Sequence, residues 1–213
     1  MLSIRDLNVS FGPVPIVRNA SLDLHEGAFC GLIGRNGAGK TTMMRALMGA
    51  IPATGHMELE HVDLLRIPAH HRVAHGVGYM PEDRRLVPEF TCEENVRLPV
   101  LAARIEGAEE RLRWIYGLIP ELVLMRARKA QVLSGGQQKL VAMARALMAG
   151  RRLLLLDEPF EGLAPALTQR LAEILSNLKD EGVTVLIAES SEGHVGDLLT
   201  RSFRIERGTV TPV

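Results

Sequence analysis

Disulfides are the first thing this sequence does without. Its 213 residues hold two cysteines, Cys30 and Cys92, too few for a disulfide framework and at ease in a reducing compartment. An excess of one charge is missing too: 25 Lys and Arg balance 25 Asp and Glu. That balance removes the broad electrostatic footprint of a nucleic-acid binder, so no nucleic acid is expected as a partner. Long apolar runs are absent as well. The leucine run at 153–156 is far below the roughly 20 residues needed to span a bilayer. If the protein acts at a membrane, it docks there through something else. The opening Met1-Leu2-Ser3-Ile4-Arg5-Asp6 has neither the basic segment nor the apolar core of a secretory signal, and none is expected. No internal repeat, low-complexity tract or interdomain linker stands out.

What remains is 46% hydrophobic and 23% charged, the composition of an ordinary globular domain. A chain this long buries a full core, most simply as one domain with room for an inserted subdomain. Residues 3–9 alternate partly and residues 20–24 more plainly, as half-buried strands do. Residues 28–33 are apolar apart from Gly31, which predicts a strand covered on both faces and a buried Cys30. A glycine-rich turn follows, then a helix over 41–48. The segment 88–132 carries charged, helix-favouring stretches such as 105–116 and no convincing buried strand, so a mostly helical insertion is expected there. Beyond it Ser134 is placed to cap a helix over 136–149, with Leu140, Val141, Ala144, Leu147 and Met148 on one side. A buried strand at 153–156, a helix near 165–179 and a strand at 183–188 complete a strand–helix–strand order that calls for a parallel sheet. His70, His71 and His75 fall in a polar connection and read as surface loop.

Three motifs carry chemistry. Gly34-Arg35-Asn36-Gly37-Ala38-Gly39-Lys40-Thr41 fits G-x-x-x-x-G-K-[ST] at every fixed place, between a predicted strand and a predicted helix. Its glycines let backbone amides wrap phosphate oxygens near a helix N-terminus. Lys40 is expected to bridge β- and γ-phosphates and the Thr41 hydroxyl to ligate Mg2+, with Thr42 beside them. In Leu153-Leu154-Leu155-Leu156-Asp157-Glu158-Pro159 an acid pair closes a buried strand. Two acids before a turn are an alternative reading, but beside a phosphate loop Asp157 is expected to reach the Mg2+ shell, and Glu158 to deprotonate the attacking water. The third motif is Leu133-Ser134-Gly135-Gly136-Gln137-Gln138, a serine hydroxyl and glycine amides at a helix start, suited to an anion.

With that third motif upstream of the acid pair, the sequence resembles the ATP-binding subunits of ABC transporters over essentially its whole length. The resemblance implies an ATPase with ATP and Mg2+ as cofactors and an α/β fold: a P-loop NTPase with a RecA-like, mostly parallel sheet, N-terminal antiparallel strands and an inserted helical subdomain. Residues 1–87 and 133–213 would form the nucleotide-binding core and 88–132 the helical subdomain. It also implies a dimer with a second ABC ATPase subunit, identical or different, in which Ser134, Gly135, Gly136 and Gln137 of one chain meet the γ-phosphate held by Lys40 of the other. Phe11 takes the place of the aromatic that stacks on adenine. Gly162-Leu163-Ala164-Pro165 resembles the loop that touches the partner subunit. Integral membrane permease subunits, and indirectly a periplasmic solute-binding protein, are the further implied partners, at the cytoplasmic face of the bacterial inner membrane.

Two positions depart from the family's usual pattern. Tyr79-Met80-Pro81-Glu82 puts Glu82 where a glutamine commonly contacts Mg2+, and Ile187-Ala188-Glu189-Ser190 puts Ser190 where a histidine commonly senses the γ-phosphate. Together with Asp83-Arg84-Arg85, Thr91-Cys92-Glu93-Glu94-Asn95-Val96 and Phe160-Glu161-Gly162, these are similar to the subunits of branched-chain amino-acid importers, a group that includes urea, amide and aromatic-acid importers. A soluble ABC ATPase acting in assembly, and a weakly active half of a heterodimer, remain as alternatives.

Overall fold

The computed structural model describes residues 1–103 and 105–213. In chain order the first elements are β1 (Leu2–Phe11), β2 (Val14–Leu24), β3 (Phe29–Ile33), α1 (Lys40–Leu47), β4 (Thr54–Leu59), β5 (Val62–Asp63), α2 (Ala69–Arg72) and β6 (Val77–Met80). Then follow α3 (Cys92–Ala103), α4 (Ala108–Leu118), α5 (Glu121–Met125), α6 (Gly135–Ala149), β7 (Leu153–Asp157), α7 (Pro165–Asp180), β8 (Thr184–Glu189), β9 (Arg201–Glu206) and β10 (Thr209–Pro212).

Two kinds of strand sequence build two sheets. Half-buried strands form an antiparallel sheet in the order β2-β1-β4-β5. The alternation in β1 is only partial because its register shifts between Ile4 and Leu7, around Asp6 at φ 49, a bulge that lets both leucine and isoleucine point inward. The apolar strands form the second sheet, ordered β10-β9-β3-β8-β7-β6 and parallel except for β10, which pairs antiparallel with β9. The run in β7 explains why such strands read as continuously apolar. Leu154 and Leu156 enter a core shared with Val141, Leu147 and Ile174, while Leu153 and Leu155 enter one shared with Ile4, Met43 and Leu186. Each face of the sheet is covered, by helices or by the antiparallel sheet.

Two expectations are corrected. The predicted one-sided helix after Ser134 starts at Gly135 and is buried nearly all round, Ala142, Met143 and Ala146 included, because it is wedged between β6 and the helices α3 and α4. Gly78 sets how close it comes: a Cβ there would stand 2.1 Å from the Ala146 carbonyl oxygen. His70 and His71 lie in α2 rather than in a loop, because buried Arg72 anchors that turn by donating to the carbonyls of Ala46 and Leu47 at 2.8 and 2.6 Å, the last turn of α1. Finally, β4, β5, β6, β9 and β10 were not read from the sequence. The segment 88–132 carries α3, α4 and α5 and no strand beyond an isolated bridge between Thr91 and Lys129.

Candidate active site

Chain direction converges at one end of the parallel sheet. After β3 the backbone turns through Gly37 at φ 79 and Gly39 at φ 112, a left-handed path that glycine takes without strain, and α1 begins at Lys40. The Lys40 side chain is 3% exposed and its ammonium lies 3.0 Å from Glu158 Oε1, while donating to the carbonyl of Gly34 at 2.6 Å. One residue on, the Thr41 hydroxyl donates to Asp157 Oδ1 at 3.1 Å.

Asp157 closes β7 fully buried. Its second oxygen, Oδ2, accepts from the Tyr79 hydroxyl at 3.0 Å. Burial holds the Asp157 carboxyl above the usual carboxylate range, against the opposing pull of the Tyr79 and Thr41 hydrogen bonds. The Tyr79 phenol is itself pushed up by burial and by Asp157. Glu158 leaves the strand at φ 47, its amide donating to the Ala188 carbonyl at 2.9 Å. Glu82, on the loop after β6, is raised first by burial and then by Glu161, Glu158 and Asp157. Carboxylates therefore crowd this corner, with Lys40, Arg45 and Lys139 as cations around them.

A cavity of about 400 Å³ unites half of the expected residues: Phe11, Asn36, Gly37, Gly39, Lys40, Thr41, Thr42, Glu82 and Glu158 line it, with Ile16 and Glu161. Phe11 is 54% exposed at its rim, so its ring is free to meet a flat ligand. Gly34, Arg35, Ala38 and Ser190 line an adjoining hollow, with Arg204 and Glu206, that shares Asn36 and Gly37 with the first. The structure does not bring Ser190 into the cavity of Lys40.

Ser134 caps α6. Its Oγ accepts from the Gln137 amide at 3.3 Å and Gln137 Oε1 accepts from the Ser134 amide at 3.1 Å, a reciprocal capping box. Ser134, Gly135 and Gly136 line a second cavity of about 700 Å³, which shares Glu82 and Glu161 with the first. Gln137 is turned back into the cap and does not line it. Sequence reasoning missed the clasp of Tyr79 on Asp157, and the positions of Glu161, Lys139 and Glu189 around the acid pair. Tyr79-Met80-Pro81-Glu82 carries a family resemblance, but Tyr79 meets Asp157 only through the parallel pairing of β6 with β7.

A phosphate-wrapping loop, its lysine and an acid pair on the next strand define a P-loop nucleotide-binding ATPase. The chain belongs to the ABC transporter family, whose sequence pattern it matches over residues 17–161. It is 32% identical, over 99% of its own length and 91% of the relative's, to the high-affinity branched-chain amino acid transport ATP-binding protein BraG of Pseudomonas aeruginosa. It is 31% identical, over 97% of its length and 87% of the relative's, to the lipopolysaccharide export system ATP-binding protein LptB of Escherichia coli K12. Among solved structures it is similar to an ATP-binding cassette of an ABC transporter in its ADP conformation, with TM-score 0.85, 26% identity, and coverage of 99% of this chain and 89% of that one. The chain is thus the ATP-hydrolysing subunit of a transporter.

Proposed function

We propose that the chain drives an importer: as one half of an ATPase dimer, it couples ATP hydrolysis to uptake of a small polar or amphipathic solute through integral membrane permease subunits. Branched-chain amino acids lead, with urea, amides and aromatic acids as related solutes, and a periplasmic solute-binding protein delivers them. The observation that carries the dimer is the division of the site: Lys40, Thr41 and Glu158 face one cavity, whereas Ser134 faces another. In the dimer a triphosphate held by the first cavity meets Ser134 of the other chain, the arrangement that the family resemblance implies. The likeness to BraG, together with Glu82 and Ser190, supports the solute class. The family resemblance supports a peripheral place at the cytoplasmic face of the inner membrane; among the described residues no helix is long and apolar enough to cross a membrane. Residues 88–132 form the helical subdomain, and 1–87 with 133–213 the nucleotide-binding core.

In this reading Lys40 binds the β- and γ-phosphates. An arriving phosphate competes with Glu158 for the Lys40 ammonium, which releases the Glu158 carboxylate to orient water and take its proton. Phe11 stacks on the base, and Gly34, Arg35, Asn36, Gly37, Ala38, Gly39 and Thr42 wrap the phosphates. Mg2+ fits the donors present. The Thr41 hydroxyl and Asp157 carboxylate stand 3.1 Å apart, all-oxygen ligands near Glu82, and no larger His, Cys, Asp or Glu cluster occurs among the described residues. Such a set suits an ion that shares its shell with substrate phosphates. Bound there, Mg2+ would neutralise charge developing on the phosphoryl oxygens.

A second reading, export, is favoured by LptB relatives of nearly equal identity. Proteoliposomes holding the co-purified permease separate the two. Solute-binding-protein-dependent uptake of labelled leucine or isoleucine, lost in Glu158→Gln, is the importer's result. ATP turnover stimulated by a lipid cargo, without uptake of any such solute, would reject it.

A further inference from the structure

Lys139 is a buried cation that the mechanism above does not use. It sits on α6, 6% exposed, and burial depresses its ammonium below the ordinary lysine range, with Glu189 and Glu161 pulling the other way. Among the described residues no carboxylate lies within ion-pair distance of it. Its donors go instead to the carbonyls of Glu158, at 3.0 Å, and Glu161, at 2.5 Å. A charge taken from water is tolerated only where its hydrogen bonds are made, and here they are made to the turn that carries the base.

That turn needs holding. Glu158 sits at φ 47, a left-handed conformation that a residue with a side chain keeps only when its surroundings impose it. The opposite side is fastened by β8: the Phe160 amide donates to Glu189 Oε1 at 3.1 Å, and the Glu158 amide to the Ala188 carbonyl at 2.9 Å. The turn is thus pinned between the helix that begins at Ser134 and the strand that ends at Glu189.

We propose that Lys139 is a positioning residue for hydrolysis: from α6 it fixes the left-handed turn at Glu158, and so ties the Ser134 end of that helix, which serves one composite site, to the base of the other. The inference rests on the reading of Glu158 as general base. Because α6 is a continuous helix from Gly135, a shift of its N-terminus on meeting phosphate moves the anchor of the Glu158 turn. ATP binding itself, which depends on Lys40 and the glycine loop, does not pass through Lys139.

The test is a double-mutant cycle on the full chain. Lys139→Met keeps the stem and removes the donors; Lys139→Gln restores one amide donor. In single-turnover ATP hydrolysis, Lys139→Met is expected to lose about 10- to 100-fold, the scale of an ångström of misplacement at a reacting group. Its affinity for a fluorescent ATP analogue stays unchanged, and Lys139→Gln recovers part of the loss. In a Glu158→Gln background Lys139→Met adds almost nothing, because a residue acting through the base has nothing left to position. Wild-type turnover in Lys139→Met, or the same fractional loss in both backgrounds, overturns the proposal. If Lys139→Met fails to melt cooperatively, Lys139→Gln runs the same cycle; unfolding of both would make Lys139 purely structural and overturn it too. Failure of the base reading looks different: Glu158→Gln alone would then keep normal turnover.

Discussion

The two anion-facing corners of this molecule are built in opposite ways. At Lys40 the charges are buried and spoken for: an ion pair with Glu158, a clasp on Asp157 from Thr41 and Tyr79. At Ser134 the polar groups are exposed: the capping bonds stay within one turn of helix, and one contact comes from outside it, Arg84 donating to the Gly135 carbonyl at 3.1 Å. A corner that closes on itself can bind and orient a reactant alone. A corner that satisfies only its own helix end has donors to spare and nothing to act on. The difference explains why the first reads as a site and the second as half of one.

The sharpest break in that comparison is at the closed corner. Lys40→Ala should abolish nucleotide binding in equilibrium titrations. Glu158→Gln should keep binding while turnover falls about 10²–10⁴-fold, the range for a lost general base. Near-normal rates would remove Glu158 from its role. Next comes complementation. Ser134→Ala and Lys40→Ala chains, each inactive, should regain turnover when mixed, since a mixed dimer has one intact pairing. Silence in the mixture, with dimers formed, would mean that each chain is self-sufficient or that the sites fire only together.

Smaller effects concern stability. Glu189 is buried, and desolvation holds its carboxyl at about 7 against an ordinary 4.5, despite bonds from the Phe160 and Ser190 amides and the nearby Lys139 charge. Across that window the folded chain keeps a proton that the unfolded chain has released, so stability falls as pH rises and the loss is complete above the window. Glu189→Gln keeps an acceptor for Phe160 and should remove that slope from urea unfolding curves; an unchanged slope would assign it to other groups. Smallest is the helix cap: Ser134→Ala should cost about 1 kcal/mol, read as a lower midpoint of thermal unfolding.

Both corners were legible in the sequence wherever chemistry is local along the chain. The glycine loop, Lys40, Thr41, the acid pair and Ser134 each lie in a contiguous motif, and their flanking elements announce themselves by apolar periodicity. What stayed hidden is long-range. Lys139 reads as one more polar residue on a helix face, and nothing in its neighbours tells that the backbone carbonyls of Glu158 and Glu161 will accept its hydrogen bonds. Tyr79 stands 78 residues from Asp157, joined to it only because β6 and β7 pair in parallel. The short strands β4, β5 and β10 escaped because four to six residues, or two, of mixed polarity carry little period. β9 alternates in the structure, with Phe203 and Ile205 inward, a pattern its arginines mask. α6 misled differently: alanines at 142 and 146 look indifferent, yet they are what lets a helix be packed on every side.

The contact at Gly78 has an evolutionary price. With no room for even a methyl group between that strand and the backbone of α6, drift at this codon is closed off. Relatives that diverge widely in cargo should therefore still agree here, because any enlargement would pry the Ser134-bearing rod off the sheet and detune both ends of the engine at once.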